Sequence, residues 1–354
     1  MLKADLLGME QEEIKQLIQS WGWPAFRGRQ IFSWLHGKRI MDFSSFTDLS
    51  LIQRQELAQK AQITLPHIVR KSQSASGDTL KLLLSLTDGA TIEMVLMLYC
   101  RKDARDRATC CISTQTGCAM GCAFCATAAN GPGRNLSVGE IISQVLLAAD
   151  FAAQKGFAGI SNIVYMGMGE PLLNLDNVKK SLLIFNDADG LDIGMRRMTI
   201  STCGLVPEIY KLADWQKQVE LAISLHAPND VKRSSMMPVA HKYSVKELLA
   251  ACRYYREKTG RRITYEYALF AGINDSKEDA KELADLLKAE DCLLNIIAAN
   301  PVPKTGFLPS KIEVIKDFCR IVESFGLTVH QRESRGLDIN AACGQLSRRQ
   351  KMEV

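Results

Sequence analysis

The sequence predicts an α/β protein in which a parallel sheet carries its helices outside, as a full or partial barrel or a doubly wound sheet. A small N-terminal helical domain with a β-hairpin precedes it. Two observations carry this reading. From residue 108 onward, short apolar runs alternate with longer amphipathic ones, the pattern of strand–helix–strand crossovers. Before that point, residues 10–61 place apolar side chains three and four apart, the period of helices that bury one face.

In chain order, "EEIKQLIQSW", "GRQIFSWLHGK" and "LIQRQELAQKAQI" read as helices, separated by Pro24 and the "DFSSFTDLS" stretch. "TLKLLLSLTDGATIEMVLML" places two apolar runs around Asp88-Gly89, a hairpin signature. Seven strands follow: "ATCCIS", "SNIVYMGMGE", "RRMTISTCG", "VELAISLHAP", "ITYEYALFAG", "LLNIIAANPVP" and "LTVHQRES". Six helices fall between or beside them, from "SVGEIISQVLLAADFAAQKG" to "SKIEVIKDFCRIVESFG". The expected division is an N-terminal module over 1–95, a core over 96–345 and a tail over 346–354. No GxGxxG opens the first crossover and no GxxxxGK[ST] occurs, which disfavours nucleotide binding of those kinds.

The 354 residues are 47% hydrophobic and 23% charged, the composition of a packed globular chain. The acidic start and the lack of a long apolar segment predict a cytoplasmic protein without a membrane anchor. In a reducing compartment, eleven cysteines are better explained by metal binding, redox chemistry or core filling than by a static disulfide framework. A net charge of +5 suits a polyanionic partner such as RNA without requiring one.

Four of those cysteines lie in "CISTQTGCAMGCAFC", and Cys118, Cys122 and Cys125 form CxxxCxxC in a loop of glycines and alanines. A closed zinc site wants four ligands, and after Cys125 the next cysteine is Cys203 and the next histidine His226. Ferredoxin spacing is tighter and carries a fourth cysteine. Three thiolates suit a [4Fe–4S] cluster that keeps one iron for an exogenous ligand, with structural zinc as the alternative. Polar residues also end four strands: Gly169-Glu170, Ser201, Ser224 with His226, and Asn300. Singly these are turn caps or core residues, but at the carboxyl ends of parallel strands they read together as one ligand crevice. In the helical segment Arg27, Arg29, Lys38 and Arg39 interleave with Phe32 and Trp34, and "SRRQK" lies near the end. Basic residues beside aromatics suit RNA phosphates and stacked bases.

CxxxCx-aromatic-C, with Phe124 before the last cysteine, resembles the cluster loop of radical S-adenosylmethionine (SAM) enzymes. Together with "RNLSVGEI", "YMGMGEPLLN", "ISLHAPND" and "DINAACGQL", it makes almost the whole chain resemble the RlmN/Cfr family of RNA adenine methyltransferases, on the RlmN side. The resemblance implies a radical SAM barrel with a [4Fe–4S] cluster on Cys118, Cys122 and Cys125. SAM would be bound by Gly169, Glu170, Ser201, Ser224, Leu225, His226 and Asn300, two molecules per turnover. It implies that Cys343 receives a methyl group, that a radical formed from the second SAM activates it, and that the carbon adds to an adenine. Cys111 then forms a transient disulfide with Cys343 and releases the RNA, while Glu93 serves as acid–base. Cys110 adjoins Cys111, and spacing to Cys118 selects Cys111. The implied substrates are C2 of an adenine in 23S rRNA and of one in tRNA, with C8 as the Cfr-like alternative. The implied reductant is a low-potential flavodoxin or ferredoxin.

Overall fold

The computed structural model describes residues 3–100, 106–303 and 305–347. The chain opens with a two-residue strand, β1 (Ala4–Asp5), and three helices, α1 (Gln11–Ser20), α2 (Phe26–Phe32) and α3 (Leu51–Lys60). Helix α2 runs on as a π-turn over Ser33–Gly37. Strand β2 (Ala61–Gln62) returns to pair in parallel with β1. α3 starts on a reciprocal capping box between Ser50 and Gln53, which satisfies backbone N–H groups that a helix start leaves open.

A ten-stranded sheet occupies the rest. Strands β3 (His67–Gln73), β4 (Thr79–Ser85) and β5 (Thr91–Tyr99) are antiparallel, and β5 pairs antiparallel with β6 (Arg107–Cys111). The hairpin β4–β5 therefore continues directly into the core sheet. Beyond β6, the chain alternates α4 (Ala126–Ala129), α5 (Val138–Gln154), β7 (Asn162–Tyr165), α6 (Leu175–Asn186) and β8 (Met198–Thr202). Next come α7 (Val206–Asp214), β9 (Glu220–Ser224), α8 (Asp230–Met236), α9 (Val245–Thr259) and β10 (Ile263–Leu269). The series ends with α10 (Lys277–Leu287), β11 (Cys292–Ala298), α11 (Ile312–Ser324) and β12 (Thr328–Arg332).

From β6 to β12 every pairing is parallel and spatial order follows chain order. A doubly wound sheet reverses its order at a switch point, and this one does not. Crossovers of a single hand leave the helices on one face of such a sheet, with the opposite face as a lumen. β12 ends the sheet, unpaired with β6, so the barrel is partial. All seven strands of the parallel series stand where alternation placed them. Strand β3 and the short helices α4 and α8 were not foreseen: β3 is exposed along nearly its whole length and so lacks the apolar alternation that marks a half-buried strand.

The N-terminal module is tied to the core by Arg29–Asp189 at 2.7 Å, Arg39–Asp150 at 3.3 Å and Lys180–Glu13 at 2.5 Å. This corrects the expectation of stacked bases: Phe32 and Trp34 are buried, Trp34 stacks on Phe46, and the Lys38 ammonium sits 3.3 Å over the Trp34 ring. Those aromatics build the module's core, because the helical period that interleaves them with arginines also turns them inward. The basic residues Arg348, Arg349 and Lys351 lie outside the described residues. No described helix is long and apolar enough to cross a membrane.

His36 is buried beside Phe32, its Nε2 without a hydrogen-bond partner, and burial lowers its pKa to about 3. Above the unfolded value of about 6.5 neither state is charged. Below it the unfolded chain binds a proton that the folded imidazole refuses, so stability falls as pH drops from there toward 3, by up to about 1.4 kcal/mol per pH unit. We predict that His36→Phe removes this share of the slope between pH 6.5 and 5 in denaturant unfolding. A slope equal to that of the unaltered protein would show that folded His36 takes up the proton.

Candidate active site

The carboxyl ends of the parallel strands open into a cavity of about 190 Å³, and in parallel α/β folds this rim is where ligands bind. Into it project Cys118, Cys122 and Cys125 from the loop after β6, Gly169 and Glu170 after β7, Ser201 on β8, and Ser224 and His226 at the end of β9. Asn300 after β11 and Cys343 complete the wall. Residues up to 225 positions apart meet there because successive parallel strands all end on the same rim.

Local geometry explains the glycines. A Cβ on Gly167 would stand 2.6 Å from the Ile112 backbone, and one on Gly169 (φ +101°) 2.6 Å from Gln115 Cβ. The "GMGE" turn thus lies directly on the segment that leads into the cysteine loop, a packing that only the missing side chains permit. Glu170 caps the turn that follows. Its carboxylate accepts from Leu172 N at 3.0 Å and Cys203 N at 2.9 Å, while Gln115 Oε1 takes the Glu170 N–H at 2.8 Å. Burial raises its pKa, and those amide donors oppose the rise.

Leu225 lies behind the rim, fully buried. Its carbonyl and those of Cys203 and Ser224 accept from the buried Arg233 guanidinium at 3.2, 2.5 and 3.2 Å. Arg233 is thus the clasp of the β8 and β9 ends, although nothing in "NDVKRSSM" marks it out. His226 sits in the left-handed region at φ +55°. Its Nδ1 accepts from Ala268 N at 3.0 Å, so the proton of the neutral ring resides on Nε2. Burial and then Arg233 lower its pKa to about 3, which keeps the ring neutral through the physiological range. Phe124 meets His226, Phe270 and Phe307 at ring-centroid distances of 5.1 to 6.1 Å and so fixes the aromatic position of the cysteine motif as an apolar anchor.

The three loop thiols share the cavity, yet among the described residues no three His, Cys, Asp or Glu side chains are grouped to hold a single metal ion. Burial, together with neighbouring thiols and Glu170, pushes Cys118 up to about 11 and Cys122 higher still. Buried thiols that interact in this way can be anionic together only around a cationic group. The donor set matches an iron–sulfur centre bound by cysteine alone.

Cys343 is exposed on the C-terminal segment, which is bound to the cysteine loop. Ala126 N donates to Gly344 O at 2.8 Å, Thr127 Oγ1 to Leu346 O at 2.7 Å and Asn300 Nδ2 to Cys343 O at 3.0 Å. Cys111 is buried in a smaller adjoining cavity whose lining also includes Cys343. Alternation on β6 puts Cys110 outside that lining. All described cysteines are free, so the Cys111–Cys343 disulfide, which the resemblance places only within turnover, is not formed. Glu93 lines neither cavity: it is buried, paired with Lys81 at 3.0 Å, and accepts Ser347 N at 2.8 Å. Two further charged residues line the main cavity, Glu266 on β10 and Arg332 on β12. A charged residue among the apolar ones of "ITYEYAL" was the sequence signal for the first.

Residues 4–63 match the family model for the ribosomal RNA large subunit methyltransferase N-terminal domain, and residues 112–287 that of the radical SAM superfamily. The chain is 47% identical over 345 residues to a protein of Moorella thermoacetica named as probable dual-specificity RNA methyltransferase RlmN, covering 97% of each. It is 47% identical to one of the same name from Alkaliphilus oremlandii, covering 99% of each. Its structure superposes on a radical SAM methyltransferase from Sphaerobacter thermophilus with a TM-score of 0.93 at 43% identity, over 98% of this chain and 100% of that one.

The Gly167 contact is directly testable. Because a Cβ there meets backbone rather than a movable side chain, Gly167→Ala should cost about 1–3 kcal/mol in denaturant unfolding. An unchanged midpoint would show that the turn stands off from the loop after β6.

Proposed function

The chain belongs to the RlmN family of radical SAM dual-specificity RNA methyltransferases, and from that premise we propose that it methylates C2 of an adenine in 23S rRNA and in tRNA through a methyl-cysteine on Cys343. The single observation that carries this reading is the approach of the Cys343 segment to the cysteine loop, joined by Ala126 N to Gly344 O. An enzyme acting only on base nitrogen needs no thiol at that place. Adenine C2 is electron-poor and resists a methyl donor that acts as an electrophile, so a covalent tether and a radical route fit the target.

Cys118, Cys122 and Cys125 are the residues to hold a [4Fe–4S] cluster. When bound, two SAM per turnover would supply the methyl group and the cluster would supply one-electron chemistry, with electrons from a flavodoxin- or ferredoxin-like donor. The chain's own groups then have distinct tasks. Gly169 leaves backbone open to the methionine end, and Glu170, with lone pairs left beyond its two amide donors, meets the ammonium. Ser201 and Ser224 offer hydroxyls and His226 an Nε2–H, while Leu225 holds the β9 end from behind the rim, its N–H donating to Glu266 O and its carbonyl accepting from Arg233. Asn300 donates to the Cys343 carbonyl and so orients the thiol as well as bordering the cofactor space.

Cys343 accepts the methyl group, and Cys111 attacks the Cys343 sulfur to free the methylated RNA. Burial and the neighbouring Cys343 push the Cys111 thiol up to about 12, against a lowering by Arg332. Its attack thus depends on local help to shed the proton. Glu93 is the acid–base group, held beneath the C-terminal segment by Lys81 and Ser347. The target adenine enters unstacked, as chemistry on a base carbon demands. C8 of the same rRNA adenine is the second reading.

Mass spectrometry of adenine released from both RNAs after anaerobic turnover with methyl-labelled SAM tests the assignment: 2-methyladenine is expected, and 8-methyladenine would move the chain to the second reading. Cys343→Ala should retain iron and sulfide but transfer no methyl group; RNA methylation at the unaltered rate would end the methyl-cysteine route. Cys111→Ala should accumulate protein covalently joined to RNA, read as a shifted band on a denaturing gel. Free, methylated RNA from this variant would assign release to another thiol.

A further inference from the structure

A cation stands beside both working thiols. Arg332, the last residue of β12, lines the main cavity and also the smaller one next to it. That smaller cavity has Cys111 and Cys343 in its wall, and its other charged or titratable groups are Tyr99, Glu333 and Arg335. Arg335 is already committed: its Nη1 donates to Asp78 at 2.7 Å and to Leu98 O at 3.2 Å, and its guanidinium lies 4.1 Å from the Tyr99 ring centre. Glu333 is exposed.

Arg332 is not committed in this way. Its Nη1 lies 3.7 Å from Glu266 Oε2 and 3.8 Å from Met166 Sδ, and among the described residues it donates to no oxygen. Glu266 in turn is held by Asn295 Nδ2 at 2.9 Å through its other oxygen, and Oε2 has no hydrogen-bond partner. The carboxylate thus lies beside the guanidinium, and the Arg332 side chain forms part of the wall of both cavities. Cys343 is the strongest influence on Arg332, raising it against burial with Glu266 and Cys111 behind, and Arg332 is the charge that eases ionisation of Cys111 against burial.

We propose that Arg332 is the shared counter-ion of Cys343 and Cys111, a positioning residue that favours first one and then the other as thiolate. The inference rests on the methyl-cysteine reading above. In the first step the thiol proton leaves to water and a sulfur lone pair of Cys343 forms the S–CH₃ bond. The methyl–sulfonium bond breaks and its pair stays on the sulfur of S-adenosylhomocysteine. In the second, a Cys111 lone pair forms the S–S bond while the bond from Cys343 sulfur to the methylene carbon breaks. That pair goes to the carbon, which a proton completes as methyl: the two sulfurs are oxidised to the disulfide and the carbon is reduced. Each step starts from a thiolate within the field of one guanidinium, so one residue serves both.

The test uses the full chain purified from iron-limited cells, so that Cys343 is unmethylated by intact mass, and then reconstituted anaerobically with iron and sulfide. Iodoacetamide modification of Cys343 is followed by peptide mass spectrometry, with Cys319 as internal reference. In Arg332→Gln the rate at Cys343 should fall about tenfold, as for a thiol that loses its cationic neighbour, while Cys319 keeps its rate. Arg332→Lys, which restores charge without the guanidinium shape, should return to within about threefold of the unaltered protein. A Cys343 rate unchanged in Arg332→Gln, or a fall in Arg332→Lys as deep as in the glutamine variant, overturns the proposal. If Arg332→Gln does not fold, Glu266→Gln decides: removal of the competing carboxylate should speed the modification, and an equal or slower rate overturns the proposal. Methyl-cysteine on Cys343 in protein from iron-replete cells is scored separately. Its absence defeats the methyl-cysteine reading whatever the alkylation rates show.

Discussion

The structure depends on the hydrogen bonds that hold the C-terminal segment over the cysteine loop. Ala126 N to Gly344 O, Thr127 Oγ1 to Leu346 O, Asn300 Nδ2 to Cys343 O and Gln345 Nε2 to Pro301 O form one clamp. Most of the acceptors are main-chain carbonyls of a segment with little regular structure, so the clamp satisfies polar groups that would otherwise lie unpaired near the cavity. Its other consequence is chemical: a thiol more than two hundred residues distant in sequence is brought to the wall that carries the three loop cysteines. Glu93 accepting Ser347 N extends the clamp to the hairpin, so the accessory strands, the cysteine loop and the C-terminal segment share one anchorage.

The sheet makes this possible by ending all its parallel strands on one rim. Backbone contacts then set individual positions: glycines where strands and loops lie too close for a Cβ, and Arg233 gathering three carbonyls of adjacent strand ends. The charges left inside are few and specific. Glu170 is satisfied by amides, His226 is neutral, and Arg332 and Glu266 stand 3.7 Å apart without a hydrogen bond. A buried carboxylate oxygen left without a hydrogen bond, like Glu266 Oε2, is costly as structure.

The N-terminal module shows how one residue pattern can fit two arrangements. Basic and aromatic residues alternating along a helix describe an RNA-binding face and also an amphipathic helix whose aromatics are core and whose arginines meet acidic neighbours. Phe32, Trp34 and Phe46 fill the module, and Arg29 and Arg39 reach Asp189 and Asp150 on the barrel. Only the partners distinguish the two, and the acidic ones, Asp189 and Asp150, lie more than a hundred residues away.

What the sequence by itself determined is what depends on local period and spacing. The seven parallel strands and their helices follow from hydrophobic alternation, a candidate metal-binding loop from CxxxCxxC without a fourth ligand, and the family from motifs spread along the chain. What only the tertiary structure decided is everything set by non-local contact: the open barrel, the exposed edge strand β3, the burial of Glu93 against Lys81, the burial of Leu225 behind the rim, and Arg332 beside Cys111 and Cys343. The physical reason is that periodicity records which face of an element meets the core. The identity of the group it meets there is fixed by how distant elements pack, and no spacing along the chain encodes it.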